Sequence, residues 1–576
     1  MINRYYQQEL TYLKDLAVQF SRAHPVLAPM LSGPSADPDV ERLLEGVAFL
    51  TGLLRQKLDD EFPEIVHDLI RLIWPHYLRP IPSSTVVAFT PKPTLKESIR
   101  LSSGIQVGSI AVEGIACLFR TCYEVDLHPL EVLDATLDRK PGNPPAIKLS
   151  FQMNGIRLSE WQPRSLRFFL GGDYSTACDI YYLLRNHLKR IVFSAHEGGI
   201  PLVLGADFLK PGGFSERETV IPYPPHSFPG YRILQEYFIL PEKFLFLDLE
   251  GWEQWTDRGA GSKFDATLEF DALPVAPRVR PENFCLFATP VLNLFPYDAD
   301  PIRLDHRRTE YLVRPSGGNC EHSQVYSVER VTGFAQGTAD VRKYQPFDFF
   351  NPDVTSHPVY RVTHKKSPLG DWLDVWLSVA YPLEAGLPVT ETLSIDLLCT
   401  NGMLPGQLRL GDICQHTASS PEYADFKNIL PPKVHVLPPV GTNLLWRLLS
   451  HLSLNYLSLE RPENLRALLE LYLFTGGHDR SSFQANQKRV ESIQNVSGRG
   501  TDRLVSGVLM RGREIKLKIL EDNFASRGDL FLFGSVLDCF LAGYSSINTF
   551  TQLLVEEAAR GEIYRWPAKI GDRPLI

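Results

Sequence analysis

Apolar residues recur every three or four positions through the first 80 residues, the period of an amphipathic α-helix. The first series is Tyr6, Leu10, Leu13, Ala17 and Phe20. We expect this helix to end at His24-Pro25, because the residue before a proline avoids the α region. Tyr5, Tyr12 and Leu16 widen the apolar arc. The helix should therefore be covered on more than one side.

Two further helices are predicted before residue 80. The second helix carries Val40, Leu43, Val47, Leu50, Leu54 and Leu58. The third carries Phe62, Ile65, Leu69, Ile73 and Tyr77. Asp37 or Asp39 can cap the second helix, and Pro63 is acceptable in the first turn of the third.

From Thr85 to about Pro439 the pattern changes to short strands. The runs TVVAF, AIKLSF, SLRFFL, ATLEFDA and LSIDLL alternate or are β-branched, and Gly, Pro, Asn or Asp bounds them. A helix is predicted at about 174–188, after Asp173. Strands at this spacing favour sandwich-like or barrel-like subdomains over a βαβ enzyme core.

Helical periodicity returns at about Gly441. Helices are predicted in WRLLSHLSLNYLSL, NLRALLELYLF, 483–494 and DLFLFGSVLDCFLAGY, and strands in EIKLKIL and SINTFTQLLV. The predicted fold class is α+β and multi-domain. Its regions are a helical segment at 1–80, a β-rich region at 81–440 with two subdomains, and an α+β domain at 441–576.

Composition gives the size of the protein and excludes several functional classes. The 576 residues carry 59 Lys and Arg against 67 Asp and Glu, a net charge of −8. This charge is too small to steer the chain to nucleic acid or to an anionic membrane. The 44 prolines, about 7.6 % against a usual ~5 %, indicate many short elements and ordered turns.

The N-terminus and the cysteines predict a cytoplasmic protein with reduced thiols. The N-terminus lacks the basic-then-apolar pattern of a secretory signal, and no run reaches 18 apolar residues. None of the eight cysteines forms a CxxC pair. Cys117 and Cys122 are the closest pair; two buried thiols are the favoured interpretation, with a partial metal site or a disulfide as alternatives.

No motif for catalysis or for a cofactor is present. GxGxxG, GxxxxGK[ST], HExxH, GxSxG and SxxK are all missing. The acidic strings Asp37-Asp39-Glu41 and Asp298-Asp300-Asp305 suit helix capping and a solvated loop better than Mg²⁺. Cys320 and His322 lack a second pair at zinc-ligand spacing.

Two short patterns near the C-terminus have structural interpretations. Lys516 and Lys518 share the solvated face of a strand whose other face is apolar, which outweighs nucleic-acid binding. Arg527-Gly528-Asp529 is expected to open a helix, with Asp529 at or near its cap.

The wide apolar surface of the N-terminal helices is the feature that bears on function. It fits either an ordinary intrachain core or a helical bundle shared with another chain, which would need such faces and aromatic anchors. The candidate partner-helix residues are Tyr6, Leu10, Leu13, Phe20, Leu43, Leu50, Leu54, Phe62 and Trp74.

These segments resemble a known family. YYQQELTYLKDLA, DPDVERLLEGVAFLTGLLRQKLDDEFPE and WPHYLRP are similar to the N-terminus of the TssF family (also called VasA or ImpG). The similarity resumes in PPVGTNLLWRLLSHLSLNYLSL, LRALLELY and LFGSVLDCFLAGYSSINTFTQL. Together these segments span about a third of the chain.

The resemblance implies a cytoplasmic structural subunit of the type VI secretion baseplate wedge, without catalytic residues or a cofactor. The implied partners are TssG, a second TssF copy, TssK, TssE, the VgrG spike hub and neighbouring wedges. The resemblance further implies that the assembled baseplate nucleates the tube and the contractile sheath and docks at the inner-membrane complex. It implies a bundle shared with TssG for the helices and wing-like regions for the strands. The alternative is a cytosolic β-rich hydrolase or carbohydrate-binding protein with Asp298 and Asp300 at its site.

Overall fold

Helices and strands both contribute extensively to the computed structural model of this chain. It describes residues 2–23, 38–139, 141–223, 228–317, 321–335, 341–347, 358–367, 370, 372–381, 390–438, 458–474, 480–505 and 508–571. The α-helices in these ranges are α1 (Ile2–Ala23), α2 (Pro38–Ile73), α3 (Tyr174–Asn186), α4 (Pro229–Ile239), α5 (Pro462–Glu470), α6 (Arg480–Glu491) and α7 (Arg527–Ala542). None of these described helices is long and apolar enough to cross a lipid bilayer.

Most strands precede residue 430. The first half of the chain contains β1 (Ser84–Pro91), β2 (Ile99–Leu101), β3 (Gln106–Val112), β4 (Ile115–Thr121), β5 (Val125–Leu127), β6 (Leu130–Asp138), β7 (Ala146–Met153), β8 (Leu166–Leu170), β9 (Leu188–Ala195), β10 (Leu202–Gly205), β11 (Leu209–Pro211), β12 (Phe246–Leu249), β13 (Lys263–Phe270) and β14 (Phe284–Leu286). The second half contains β15 (Ala288–Leu292), β16 (Phe295–Asp298), β17 (Ile302–Leu304), β18 (Tyr311–Val313), β19 (Gln324–Ala335), β20 (Val341–Pro346), β21 (Val359–Lys366), β22 (Leu373–Ala380), β23 (Glu391–Thr400), β24 (Ala424–Asn428), β25 (Ile493–Val505), β26 (Val508–Ile519), β27 (Thr549–Glu557), β28 (Ile563–Arg565) and β29 (Lys569–Ile570). The α+β, multi-domain fold class is thereby confirmed.

The chain divides into two compact units. The described part of the first unit is 2–23 and 38–78, which holds α1, α2 and a short 3₁₀ turn at Pro75–Leu78. The second unit holds the described residues from Arg79 onwards. The three-region division at 80 and 440 stays a prediction.

The predicted break between a second and a third helix is wrong. α2 runs without interruption from Pro38 to Ile73, through Pro63. Proline in a helix interior removes one backbone hydrogen bond and kinks or breaks most helices, which is why Pro63 suggested a new start. Tyr77, expected in that third helix, lies instead in the 3₁₀ turn.

The second unit consists mainly of antiparallel sheets. Two five-stranded sheets have the orders β24-β1-β15-β4-β3 and β10-β9-β13-β7-β6, and a four-stranded sheet has the order β11-β12-β8-β14. A larger sheet has the order β16-β23-β19-β20-β21-β22-β18, with β17 on β23, and β2 pairs with β5. The C-terminal sheet, β25-β26-β27-β28 with β29 on β27, contains a parallel pair, β26 with β27.

Most predicted elements within the described ranges are confirmed. The predicted helix near 174–188 is α3, and Asp173 caps it by accepting a hydrogen bond from the Thr176 backbone N–H. The strand EIKLKIL lies in β26, where Ile515, Leu517 and Ile519 are buried. The predicted helix WRLLSHLSLNYLSL falls almost entirely outside the described residues.

A buried amide network joins the first sheet to the larger sheet. The Asn293 side-chain amide donates to the Leu118 carbonyl at 2.8 Å and to Asn401 Oδ1 at 2.8 Å. Its oxygen accepts from the Thr400 hydroxyl at 2.8 Å and from the Asn401 backbone N–H at 2.7 Å. Asn293 and Thr400 are fully buried. The network therefore leaves no hydrogen-bonding atom of Asn293 unused.

We expect Asn293→Leu to destabilise the second unit by about 2–5 kcal/mol, because each buried partner left unpaired costs roughly 1–3 kcal/mol. Urea unfolding followed by tryptophan fluorescence measures this cost. Asn186→Leu, at the exposed end of α3, is the matched control and should shift stability by less than about 0.5 kcal/mol. Equal effects of the two substitutions would contradict a role for the network.

A second buried joint connects α3, α6 and α7. The Asp529 carboxylate accepts from Arg489 Nη2 at 2.9 Å and from the Tyr174 hydroxyl at 2.9 Å. Asp529 is fully buried and Arg489 nearly so. The Arg489 guanidinium also lies over the rings of Tyr174 and Tyr237. The buried ion pair thus holds α7 to α6, and the Tyr174 hydroxyl adds a hydrogen bond from α3.

The tripeptide Arg527-Gly528-Asp529 belongs to this joint. α7 begins at Arg527, as predicted; its cap is Ser526, which accepts from the Asp529 backbone N–H, and Asp529 lies near this cap, in the first turn. A Cβ atom on Gly528 would collide with the Cys178 backbone, so glycine permits the close approach of α7 to α3. Asp529 is buried against Arg489, because its side chain points into the joint rather than to solvent.

Candidate interaction surface

Small residues occupy the buried positions along α1 and along α2 as far as Leu54, whereas Ile70, near the end of α2, is also buried. The two helices pack against each other, and the Lys14 ammonium lies 3.2 Å from a Glu41 carboxylate oxygen. Ala17, Ala48 and Gly52 are buried. Small side chains allow two helix backbones to approach closely, so this pairing leaves little room for large side chains between the helices.

On each helix, half-buried apolar residues lie in line with the buried alanine. On α1 the row is Tyr6, Leu10 and Leu13, which reaches Ala17 at spacings of four, three and four. On α2 the row includes Val40 and Leu44, which reaches Ala48 at spacings of four. These rows are the faces that the apolar period of the sequence predicts to be covered.

The largest apolar side chains of α2 lie outside these rows. Leu43, Val47, Leu50 and Leu54 follow spacings of four, three and four, about 100–160° around the helix from Ala48. Leu43 is 69 % exposed, and Leu50 and Leu54 are each 62 % exposed. We call these four residues the α2 stripe.

A similar series follows α1. Tyr12, Leu16 and Phe20 are spaced four apart and are all exposed, with Phe20 at 46 %. Single exposed apolar residues are ordinary on protein surfaces, but a contiguous series marks an interaction site. Two adjacent helices that each expose such a series form a candidate interaction surface.

The structure places the nine predicted partner-helix residues in three settings. Tyr6, Leu10 and Leu13 are half-buried along α1. Phe20, Leu43, Leu50 and Leu54 are exposed, and Trp74 is buried. The Phe62 side chain lies outside the described residues.

Several exposed apolar residues were not among the nine. They are Tyr12, Leu16, Val18, Val47, Phe49 and Leu53. In the sequence, the width of the apolar arc was the signal that could have identified these residues. An arc wider than one helix contact leaves part of its surface for another partner.

The acidic residues of the alternative function do not form a site. Asp298 and Asp300 are exposed, and their backbones pair with the segment at 314–316 through Asp300 N–H to Arg314 and Ser316 N–H to Asp298. In the described residues no group of three or more His, Cys, Asp or Glu side chains is arranged to hold a metal ion.

A cavity of about 340 Å³ in the second unit contains many charged side chains, but these are mostly paired. Arg167 Nε lies 2.6 Å from Asp248, and its Nη2 lies 2.5 Å from Glu218. Burial would raise the pKa of Glu218, but Arg167, Ser215 and backbone N–H groups lower it overall. This pairing stabilises the wall of the cavity.

The two closest cysteines are free thiols in different environments. Cys117 is buried, and Cys122, which lines this cavity, is partly exposed. Burial raises the pKa of Cys117 to about 11 and that of Cys122 to about 12, so both are protonated at neutral pH. The prediction of two buried free thiols is confirmed for Cys117, whereas Cys122 is half-buried.

Comparison with known proteins decides between the two functions. The family described as "Type VI secretion system, TssF" matches residues 1–573. The chain belongs to the TssF family. This match extends the resemblance from about a third of the chain to nearly all of it.

Individual TssF relatives agree with the family match. The chain is 31 % identical over 620 residues to type VI secretion system component TssF1 of Pseudomonas aeruginosa, covering 99 % of each. It also matches a chain of the cryo-electron microscopy structure of the type VI secretion system TssK-TssF-TssG baseplate subcomplex. That match has a TM-score of 0.76 and 29 % identity, and covers 92 % of this chain and 99 % of the other.

A second solved structure, the baseplate complex from the type VI secretion system, contains a chain that matches at full coverage of both. Its TM-score is 0.63 and its identity 25 %. The predicted function, a TssF subunit of the baseplate, is thus confirmed. The alternative of a hydrolase or carbohydrate-binding protein is not favoured, and the relatives are components of a baseplate.

Proposed function

We propose that the exposed apolar side chains of α1 and α2 form a helical bundle with TssG, and that this bundle holds the chain in the baseplate. The observation that carries the proposal is that small side chains are buried on these helices while large apolar side chains are exposed. Ala17 and Ala48 are buried, whereas Leu43, Leu50 and Leu54 are exposed. A stable intrachain core would place its leucines inside, so these leucines are suited to another chain.

The amount of apolar surface supports a persistent contact. Full burial of one leucine contributes roughly 1.5–3 kcal/mol, so three leucines of the α2 stripe together contribute several kcal/mol. Aromatic side chains are enriched as anchors at such interfaces, and Tyr12 and Phe20 lie exposed on α1. No charged group is needed at the centre of this surface.

The choice of partner rests on the relatives. The matched structure contains TssK and TssG beside TssF, and by this likeness we assign TssG and TssK as partners of this chain. A second TssF copy, TssE, the VgrG hub and neighbouring wedges complete the proposed assembly. The sheets of the second unit would supply wing-like contacts, and the work of the chain would be binding rather than catalysis.

The proposed setting is the cytoplasm, with the assembled baseplate docked at the inner-membrane complex. Here the subunit would help to nucleate tube and sheath around the spike. On firing, packed interfaces would switch from one discrete arrangement to another. This switch would transmit the change of shape.

Co-purification tests the proposal directly. We expect this chain, expressed with TssG from the same secretion system, to elute as one complex whose mass contains more than one copy of this chain. Native mass spectrometry counts the copies. A lone chain that stays a well-behaved monomer in the presence of TssG would contradict the proposal.

A further inference from the structure

One edge of the C-terminal sheet is long and open. β25 has 13 residues, about twice the usual strand length, and within the described part of the chain it pairs with β26 alone. In an antiparallel pair, alternate residues turn their N–H and C=O groups away from the partner strand. Among the described residues, none hydrogen-bonds to the backbone of 494–503 from this outer side.

The start of β25 is covered, and the cover ends near its middle. The Arg466 guanidinium Nε donates to the Ile493 carbonyl at 2.8 Å. A Cβ atom on Gly498 would collide with the Glu460 carboxylate, whereas one on Gly500 would meet no atom within 4 Å. From about Arg499 onwards, described residues therefore cover neither the edge nor this face of β25.

The end of the hairpin extends beyond its sheet. β27 first pairs with β26 at Arg511, opposite Thr549, so the pair Arg503 and Met510 has no third strand beside it. Leu509 near the tip is 68 % exposed. We call 499–505 and 508–514 the edge arm.

Proline, lysine and bulges, three of the devices that normally block an open edge, are missing from the described arm, although it carries other charged side chains. Proteins protect edges with proline, lysine, bulges or short strands. The described arm contains neither proline nor lysine, and the single register shift of the pair lies at Ile493 and Asn495, before the arm begins. The backbone of the arm is thus ready to pair.

The arm is basic, in contrast to the chain as a whole. It carries Arg499, Arg503, Arg511 and Arg513 against Asp502 and Glu514, a net charge of +2, whereas the whole chain has −8. Arg513 is paired with Glu460 at 2.5 Å; Arg499 and Arg511 are exposed, and Glu514 and Asp502 respectively lie opposite them in the neighbouring strand. Carboxylates on an incoming strand would complement these two cations.

We propose that the edge of β25 from Arg499 to Arg503 binds an extended, carboxylate-bearing segment of a partner protein as an added strand. Main-chain hydrogen bonds to the open N–H and C=O groups would supply affinity, and Arg499 and Arg511 would select acidic side chains. We expect the partner to be a member of the proposed baseplate complex, so this inference rests in part on the proposed function.

Hydrogen–deuterium exchange of the full chain, alone and in complex with TssG and TssK, tests the edge. We expect amides between Arg499 and Arg503 that exchange rapidly in the lone chain to slow by at least about tenfold in the complex. Arg499→Glu should remove this protection. Lys189→Glu, the same sign reversal at an exposed position of β9, should retain it.

The β26 amides report whether the hairpin is intact in each variant, because their exchange stays slow while β26 is paired on both sides. Protection of α1 and α2 without protection of 499–503 would overturn the edge proposal and leave the proposed function standing. Protection of neither would overturn both. Protection in the lone chain that grows with its concentration would mean self-pairing, and would also overturn the assignment of an acidic partner.

Discussion

Replacing Leu50 and Leu54 together with aspartate is expected to abolish the complex with TssG. Each leucine is 62 % exposed, so the substitutions cost the lone chain little. In the bundle they would remove two apolar contacts, each worth roughly 1.5–3 kcal/mol, and would bury two unpaired carboxylates. We therefore expect affinity to fall by more than about 100-fold.

Size-exclusion chromatography and a titration of labelled TssG measure this loss. The matched control is Leu410→Asp, because Leu410 is 61 % exposed and lies in the second unit, away from the two helices along the chain. Circular dichroism of each variant reports folding. An intact complex in the double variant would exclude the α2 stripe as the interface, and loss of the whole fold would make these leucines ordinary core.

Asp529→Asn is expected to destabilise the second unit by about 3–5 kcal/mol, the usual cost of removing one partner from a buried ion pair. Arg489 would keep its charge in a site that is nearly closed to solvent. The amide that replaces the carboxylate has the same shape, so the effect arises from charge and not from a cavity. Urea unfolding, followed by near-ultraviolet circular dichroism, measures it.

Two further variants test this explanation of the Asp529 effect. Asp529→Leu combined with Arg489→Met should cost less than Asp529→Asn alone, because no charge is left buried. Asp522→Asn, an exposed neighbour, should change stability by less than about 0.5 kcal/mol. A double variant as unstable as the single one would show that packing, and not the ion pair, holds α7 to α6.

Local features of the fold were predictable from sequence because their causes are local. Asp173 caps α3 through a neighbouring N–H, and the alternation in β26 reports a half-buried strand. Long-range pairing was not predictable. β1 pairs with β24 at Ala88 and Lys427, and nothing in either strand specifies the other.

The candidate surface was predicted in part for the same reason. Helical periodicity identifies an apolar face, and it correctly singled out Leu43, Leu50 and Leu54 as apolar positions of one helix. It does not say which side of a wide face another helix of the same chain will cover. That choice depends on the small residues Ala17 and Ala48, whose importance emerges only when two helices are placed together.

The pairing of β1 with β24 has a consequence for the order of events during synthesis. The first sheet cannot close until residue 428 has left the ribosome, whereas α1 and α2 contact each other within the first 73 residues. At bacterial rates of about 5–20 residues per second, the roughly 350 residues between them take on the order of 20–70 s. The two N-terminal helices are therefore exposed, apolar side chains included, well before the first sheet can be completed.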